Sequence, residues 1–223
     1  MLADLLDLVL PRSCAGCDAP GASLCPDCRL LLAGRPLGLV RPEPCPAGLP
    51  PLAAGTAYDG GVRRLLVAHK ERGQTRLARP LGAALAGAVQ VLGVRGPVVL
   101  CPAPSARSAV RGRGHDHALQ LARAAARTLT AGGCPATALA LLIPARVVAD
   151  QSGLDAAARA ANLAGALRVR RLVHGPVVVV DDVVTTGATL VEATRALTAA
   201  GMAVRGAAVV AATARRHRSP ERA

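Results

Sequence analysis

The sequence contains almost no aromatic residues. None of its 223 residues is Phe or Trp, and Tyr58 is the only Tyr. A folded core must therefore be built from Ala, Val and Leu, and the aromatic platforms on which single-stranded nucleic acids usually stack are nearly absent. Lysine is equally scarce, because Lys70 is the only one and every other cationic side chain apart from histidine is Arg.

Long apolar runs are missing as well. No stretch has the ~20 consecutive apolar residues of a membrane-spanning helix. Residues 1–10 are apolar but carry Asp4 and Asp7 and no basic start, which argues against a signal peptide. Their apolar residues recur at helical spacing and predict a short amphipathic helix packed on the body. We expect a cytoplasmic protein, in which cysteines more often bind metal or stay free than form disulfides.

Charge and composition leave two interpretations open. Hydrophobic residues make up 52% and charged residues 18%, which is typical of a globular chain, and the formal net charge is +13. Such a charge fits a polyanionic partner, either nucleic acid or phosphorylated small molecules. It also fits a general bias towards Arg, because net charge affects association without defining a site.

The chain divides into three predicted regions: residues 1–50, 51–213 and 214–223. The first holds the N-terminal helix, a cysteine knuckle and a Pro-rich linker, and the last is a basic tail that we predict to be disordered. In the middle region, short apolar runs alternate with amphipathic helical stretches. This pattern predicts an α/β fold with a parallel sheet flanked by helices. The predicted strands or apolar runs are 52–58, 97–101, 139–143, 167–173, 177–180 and 203–211, and the predicted helices are 61–72, 76–92, 115–129, 154–163 and 189–200.

The clearest motif begins at the apolar run 177–180. Two acids, Asp181 and Asp182, follow this strand, at the sheet edge where α/β proteins bind ligands. A turn of small and hydroxylic residues then leads into a helix, whose first N–H groups and positive dipole end form an anion site. The residues of this turn are Val183, Val184, Thr185, Thr186, Gly187, Ala188 and Thr189.

Carboxylates would repel a phosphate, so the two acids must contact another group. Ribose hydroxyls donate strong charge-assisted hydrogen bonds to carboxylates. The motif therefore predicts a ribose 5-phosphate site, with Mg²⁺ nearby if the ligand carries a pyrophosphate. The alternative is a buried strand followed by a helix with an ordinary Asp or Thr cap. That alternative explains one Asp or one Thr, but it does not naturally explain two acids followed by a turn rich in hydroxyl groups.

The run 177–190 is similar to the signature of type I phosphoribosyltransferases that binds 5-phosphoribosyl-1-pyrophosphate (PRPP). The wider chain, from the cysteine knuckle to about residue 212, resembles the ComF family of competence-associated proteins. This resemblance implies a type I phosphoribosyltransferase-like sheet with a small N-terminal zinc knuckle, PRPP bound with Mg²⁺, and phosphoribosyl transfer to an acceptor with release of pyrophosphate. It also implies an alternative, a non-catalytic PRPP- or nucleotide-binding accessory protein of DNA uptake. In the transferase interpretation, Asp181 and Asp182 are the catalytic pair.

A second loop resembles the family's strand and Pro-x-Pro turn at residues 98–105, which we expect on the pyrophosphate side. The predicted PRPP contacts here are Pro104, Ser105, Arg107 and Arg113, because arginine forks match phosphate oxygens. A solvated basic loop is the alternative. Where many relatives have Arg-Gly-Phe-Asn-Gln, this chain has Arg-Gly-His-Asp-His at 113–117. His115 and His117 fit general bases or ligands, but we expect them to be surface histidines beside a helix start.

A third stretch, 146–162, resembles the family's segment between the second strand and the PRPP strand. The resemblance implies a mobile loop in this region that closes over PRPP, as in type I enzymes. Closure excludes water, which would otherwise hydrolyse the ligand. The candidates for contacts made on closing are Arg146, Gln151 and Arg159. An equal alternative is that Arg159 and Asn162 hold a helix against the sheet.

Two CxxC pairs lie near the N-terminus, separated by seven residues: Cys14, Cys17, Cys25 and Cys28. Each pair can chelate a tetrahedral ion, so we predict a structural zinc site. Redox-active pairs or unliganded cysteines are the alternatives. Many ComF relatives have a second knuckle, of which only Cys45 remains here. The other two cysteines, at 101 and 134, are predicted to be ordinary buried residues.

Overall fold

The structure is a computed structural model that describes residues 13–104, 116–146 and 161–213. Within these ranges the chain forms eight strands, five α-helices and a short 3₁₀ turn at Thr75–Leu77. The strands are β1 (Gly38–Leu39), β2 (Leu52–Ala57), β3 (Val98–Pro102), β4 (Ala136–Ala138), β5 (Leu142–Pro144), β6 (Leu167–Val169), β7 (Pro176–Val184) and β8 (Ala203–Ala212). The helices are α1 (Pro26–Ala33), α2 (Gly60–Glu71), α3 (Ala78–Val91), α4 (His117–Ala131) and α5 (Ala188–Ala199).

Six strands form one sheet in the order β1-β2-β8-β7-β3-β4. All neighbours are parallel except the edge strand β1, which runs antiparallel to β2. Strands β5 and β6 form a separate antiparallel pair. The predicted fold class is confirmed, and the parallel arrangement places the carboxyl ends of β2, β8, β7, β3 and β4 at one edge of the sheet.

The two faces of the sheet have separate cores, as alternation along a strand requires. Val178 and Val180 of β7 pack with α2, α3 and α4, whereas Val177 and Val179 pack with α5. Small residues lie where the helices meet, and they let the helices approach one another closely. A Cβ on Gly82 of α3 would lie 2.4 Å from the Cβ of Ala124 on α4. The aliphatic core that the composition predicts is therefore present on both faces.

The structure corrects several predicted boundaries. Strand β7 does not end at residue 180 but continues through the two acids to Val184, because β8 is long enough to pair with it that far. Strand β6 stops at Val169, short of the predicted end at 173. Strand β4 was not predicted as a strand, since its three residues lack an apolar run. The predicted N-terminal helix, the tail and most of the helix at 154–163 lie outside the described residues.

Across the described ranges, no helix combines the length and the apolarity needed to cross a membrane.

Candidate functional site

A cleft opens where β7 ends and α5 begins. Asp181 lies at one side of the cleft, and the turn that follows β7 forms the rest of the wall. This is the sheet edge predicted to bind ligands. The lining residues are Asp181, Val183, Val184, Thr185, Thr186, Gly187, Ala188, Thr189 and Leu190.

The start of α5 offers backbone donors to an anion in this cleft. The N-cap residue is Gly187, so no side chain caps the helix. The only side-chain partner seen for these amides, among the described residues, is the Thr186 hydroxyl, which accepts from the Ala188 N–H at a weak 3.5 Å. Because α5 has 12 residues, its dipole adds a positive potential at this end. The cleft can therefore hold a phosphoryl group by backbone N–H groups and threonine hydroxyls.

The backbone of this turn requires glycine and is packed from outside. Gly187 has φ +79°, a left-handed conformation, and a Cβ there would lie 3.2 Å from Leu49 Cδ1 and 3.4 Å from Pro46 Cγ. The Pro-rich stretch that precedes β2 thus lies directly against the turn. This packing fixes the conformation in which the turn presents its N–H groups.

We expect Gly187→Ala to weaken binding of an anionic ligand in the cleft, whereas Gly201→Ala should not. Both glycines have nearly the same φ, +79° and +78°, so both substitutions carry the left-handed cost of roughly 1–2 kcal/mol. Only at Gly187 does the new methyl group also meet neighbours, because a Cβ on Gly201 has nothing within 4 Å. Isothermal titration with PRPP and thermal unfolding separate the two effects. Equal affinity losses in both variants would contradict the assigned role of the turn.

The two acids of the motif lie on opposite sides of β7, as adjacent strand residues do. Asp181 is half-buried and lines the cleft, and one of its oxygens accepts the Asp182 N–H at 2.8 Å. Asp182 is buried and does not line the cleft. The structure therefore places Asp181, and not Asp182, beside the anion site.

Asp182 is held by two cationic or potentially cationic side chains. Lys70, in the last turn of α2, places its Nζ 2.9 Å from Asp182 Oδ2. His117, the first residue of α4, has its Nε2 3.6 Å from the same oxygen. The second carboxylate oxygen accepts the Val183 N–H at 2.9 Å. We refer to Lys70, Asp182 and His117 together as the Lys–Asp–His cluster.

The surroundings separate the pKa values of the two acids. Burial, together with the negative charge of Asp182, raises the pKa of Asp181 well above its ordinary value. Burial alone would also raise the pKa of Asp182, but His117 and Lys70 hold it below its ordinary value. Although burial opposes it, Asp182 raises the pKa of Lys70. Lys70 and Asp182 therefore form an ion pair at neutral pH.

The expectation that His117 is a surface histidine is wrong. The side chain is buried against Asp182, and its Nδ1 has no hydrogen-bond partner among the described residues. The reason is the position of α4, which begins above the end of β7 and turns its first residue inward. The preceding Asp116 caps the helix by accepting the Leu119 N–H at 3.1 Å.

The structure describes two of the remaining predicted ligand contacts. Pro104 follows β3, whose last residue Pro102 pairs with Val180 of β7, so it lies at the ligand edge. Arg146 donates from its Nη2 to the carbonyl oxygens of Asn162, at 2.7 Å, and Ala164, at 3.0 Å. Its guanidinium thus tethers the chain after β5 to the segment before β6. The other predicted contacts lie outside the described residues: Ser105, Arg107, Arg113, Gln151 and Arg159. His115, predicted to be a surface histidine, lies outside them as well.

The four cysteines of the two CxxC pairs come together in space. Their Sγ atoms all lie within 4.8 Å of one another, and those of Cys17 and Cys25 are 3.5 Å apart. Tetrahedral zinc with Zn–S bonds of about 2.3 Å requires sulfur separations of about 3.8 Å. A disulfide would need about 2 Å. The arrangement fits four thiolates around one ion.

Backbone N–H groups around the sulfurs support the same conclusion. Cys14 Sγ accepts from Gly16 N at 3.4 Å and from Cys25 N at 3.3 Å, and Cys25 Sγ accepts from Cys28 N at 3.4 Å. Burial opposes ionisation of Cys14, but these amides lower the pKa of its thiol to about 6. Burial and the neighbouring sulfurs raise the pKa of Cys28. Four thiols crowded in this way need a cation before all can ionise.

The cysteine cluster is built into the main core. Cys14 and Cys28 are buried in the same hydrophobic cluster as Leu65 of α2. Arg64 of α2 also donates from its Nε to the Gly16 carbonyl at 2.5 Å. A metal in the cluster would therefore fix the helix that carries Lys70.

Comparison with known proteins supports the ligand assignment. Residues 117–222 match the family model of the phosphoribosyl transferase domain. This part of the chain is similar in sequence to a phosphoribosyl transferase domain. None of the curated proteins compared with the chain matches it. The matched residues include α4, β7, α5 and β8, and hence the cleft, both acids and His117. Strands β2 and β3 precede the match but complete the same sheet.

Two residues of the site were not predicted from the sequence. Lys70 was noted only as the single lysine, and His117 was expected at the surface. The signal for Lys70 was weak but present: one lysine in a chain otherwise using Arg, at the end of an amphipathic helix. For His117 the signal was its position one residue after the helix cap.

Proposed function

We propose that the chain binds PRPP with Mg²⁺ and transfers the phosphoribosyl group to an acceptor, releasing pyrophosphate. The observation that carries this proposal is the cleft at the end of β7, where Asp181 stands beside the uncapped start of α5, in the part of the chain that matches the phosphoribosyl transferase domain. The 5′ phosphate would bind the turn at 185–189, and the ribose hydroxyls would face Asp181. The carboxylate and the N–H groups thus match the two ends of ribose 5-phosphate.

The residues present also fit the metal that such a ligand brings. Mg²⁺ is usually held by one or two carboxylates together with substrate phosphates. Asp181 lines the cleft, and one of its two carboxylate oxygens accepts the Asp182 N–H. When bound, Mg²⁺ would neutralise part of the negative charge of the pyrophosphate.

In the transfer step, the lone pair of the acceptor forms a bond to C1′ of the ribose. The bond from C1′ to the pyrophosphate oxygen breaks, its electron pair leaves with pyrophosphate, and the acceptor loses its proton to water. Positive charge develops on the sugar ring, and the carboxylate of Asp181 would stabilise it. The protein therefore acts by positioning and electrostatic stabilisation, without a covalent nucleophile.

The binding test is isothermal titration of the zinc-loaded full chain with PRPP, in MgCl₂ and in a chelator that spares the protein-bound zinc. We expect saturable binding that weakens at least tenfold without Mg²⁺. As a control, ribose lacking a phosphate should not bind measurably, because the turn recognises the phosphoryl group. Absence of PRPP binding at millimolar concentrations with Mg²⁺ would exclude the proposed function.

A screen of nucleobases and amines for pyrophosphate release then tests transfer. Release with one acceptor class supports a transferase. Binding without release from any acceptor would favour the accessory protein of DNA uptake that the family resemblance also implies. Steeply salt-dependent binding of single-stranded DNA that is insensitive to substitution of Asp181 would instead indicate a nucleic-acid binder.

A further inference from the structure

The Lys–Asp–His cluster is more elaborate than a structural role for Asp182 requires. The Asp182 carboxylate already has a backbone partner in Val183 and a contact with His117, yet Lys70 also reaches it. An ammonium group has three N–H donors, and Asp182 takes one of them. The Lys70 side chain is 36% exposed, and Asp182 is the one hydrogen-bond partner seen for its ammonium among the described residues.

The position of Lys70 relates it to one end of the proposed ligand. Lys70 does not line the cleft that would hold the 5′ phosphate. It lies across β7 from that cleft, with His117, on the face where α2 and α4 pack. Strand β3 is the neighbour of β7 on the side away from β8, and its last residue pairs with Val180, just before the acids. A ligand anchored by its phosphate in the cleft could reach Lys70 by extending across the end of β7, past Asp181.

The charges at this edge also favour an anion beside Lys70. Asp181 and Asp182 are adjacent, and both act on the lysine. Without a cation here, the negative pyrophosphate end of PRPP would meet two carboxylates. Lys70 neutralises Asp182 and still presents donors that fit phosphoryl oxygens.

We propose that Lys70 is a binding residue for the pyrophosphate end of PRPP, and that Asp182 and His117 are positioning residues that hold its ammonium in place. This inference rests on the proposed function, because it concerns the same ligand. It adds to the site a residue from α2, outside the matched domain.

The first test uses the unmodified protein. Because Lys70 is the only lysine, an amine-acylating reagent can label only Lys70 and the N-terminal amine. Mass spectrometry should show that PRPP with Mg²⁺, and pyrophosphate with Mg²⁺, slow acylation of Lys70 several-fold while the N-terminal amine reacts as before. Ribose 5-phosphate at saturating concentration should leave the Lys70 rate nearly unchanged. Equal protection by ribose 5-phosphate and PRPP would overturn the proposal.

The second test compares Lys70→Met with Arg63→Met, which removes one positive charge from the exposed surface of the same helix. Loss of a charged hydrogen bond predicts that Lys70→Met weakens PRPP binding roughly 10- to 100-fold, with ribose 5-phosphate affinity changed less than about threefold. Arg63→Met should leave both affinities nearly unchanged. Equal losses for both ligands in Lys70→Met would show a purely structural lysine. If the wild type binds PRPP with Mg²⁺ and Lys70→Met binds it equally well, the Lys70 inference fails alone; if the wild type does not bind PRPP, the proposed function fails as well.

Discussion

Asp181→Asn is expected to weaken Mg²⁺-dependent PRPP binding roughly 100-fold, because a charged hydrogen-bond acceptor in the cleft is replaced by a neutral amide. The change preserves the shape of the side chain, so the fold should be retained. Asp182→Asn is the matched comparison one residue along the strand. Its carboxylate faces Lys70 and His117 and not the cleft. We therefore expect a loss of about 2 kcal/mol in the free energy of unfolding and, through the released Lys70, a loss of PRPP affinity smaller than that of Asp181→Asn. Titration with PRPP and urea denaturation distinguish the two variants.

The pH dependence of PRPP affinity is a second test of whether Asp181 contacts the ligand. The pKa of Asp181 is raised well above its ordinary value, and contact with Mg²⁺ and the sugar requires the ionised form. Wild-type affinity should therefore fall as the pH is lowered, by up to about tenfold per pH unit, beginning above pH 4 where an ordinary Asp remains ionised. In Asp181→Asn this slope should disappear. If the slope persists in Asp181→Asn and is lost in Asp182→Asn, then Asp182 makes the ribose contact and the assignment to Asp181 is wrong.

Loss of the metal from the cysteine cluster is expected to have the largest effect on stability. Cys28→Ser removes one buried sulfur of the four that would hold the metal, in the core cluster that also contains Leu65 of α2. Metal binding in such sites contributes directly to folding, so we expect a loss of at least about 4 kcal/mol, a large share of the stability of an ordinary domain. Denaturant unfolding and metal analysis of the purified protein measure the two effects. The wild type should contain one zinc ion per chain.

Cys45→Ser is the control for this substitution. Cys45 is exposed and stands outside the four-sulfur cluster, so its variant should retain one zinc ion and wild-type stability. Two results would defeat the assignment. One is freshly purified, unoxidised wild-type protein without zinc, and the other is Cys28→Ser that unfolds at the same denaturant concentration as the wild type.

The two predictions are connected through α2. The cysteine cluster packs on this helix by Leu65 and by the hydrogen bond from Arg64 to Gly16. The same helix ends with Lys70 on Asp182. A chain without zinc should therefore also lose affinity for PRPP before it unfolds completely, because the ammonium would no longer be held at the ligand edge.

Much of the site could be predicted because its parts are contiguous in sequence. The anion turn follows its strand directly, so the run of valines, acids, threonines and Gly187 was enough to predict a strand, a ligand edge and a helix start. The boundary of β7 was wrong for a non-local reason. Whether Asp181 and Asp182 belong to the strand depends on how far β8 extends beside them, and no pattern within residues 177–184 carries that information.

The sequence by itself determined the turn between β7 and α5, the two CxxC pairs and the alternation of strands and helices, since each depends on neighbouring residues and on local hydrogen-bonding geometry. Only the tertiary structure decided which acid faces the cleft, that Lys70 and His117 contact the other, and that Pro46 and Leu49 pack against Gly187. These contacts join residues far apart in the chain, as Lys70 and Asp182 are 112 positions apart. Their partners are selected by the packing of α2 and α4 on the sheet, and packing between distant segments leaves no periodic signal in a single sequence.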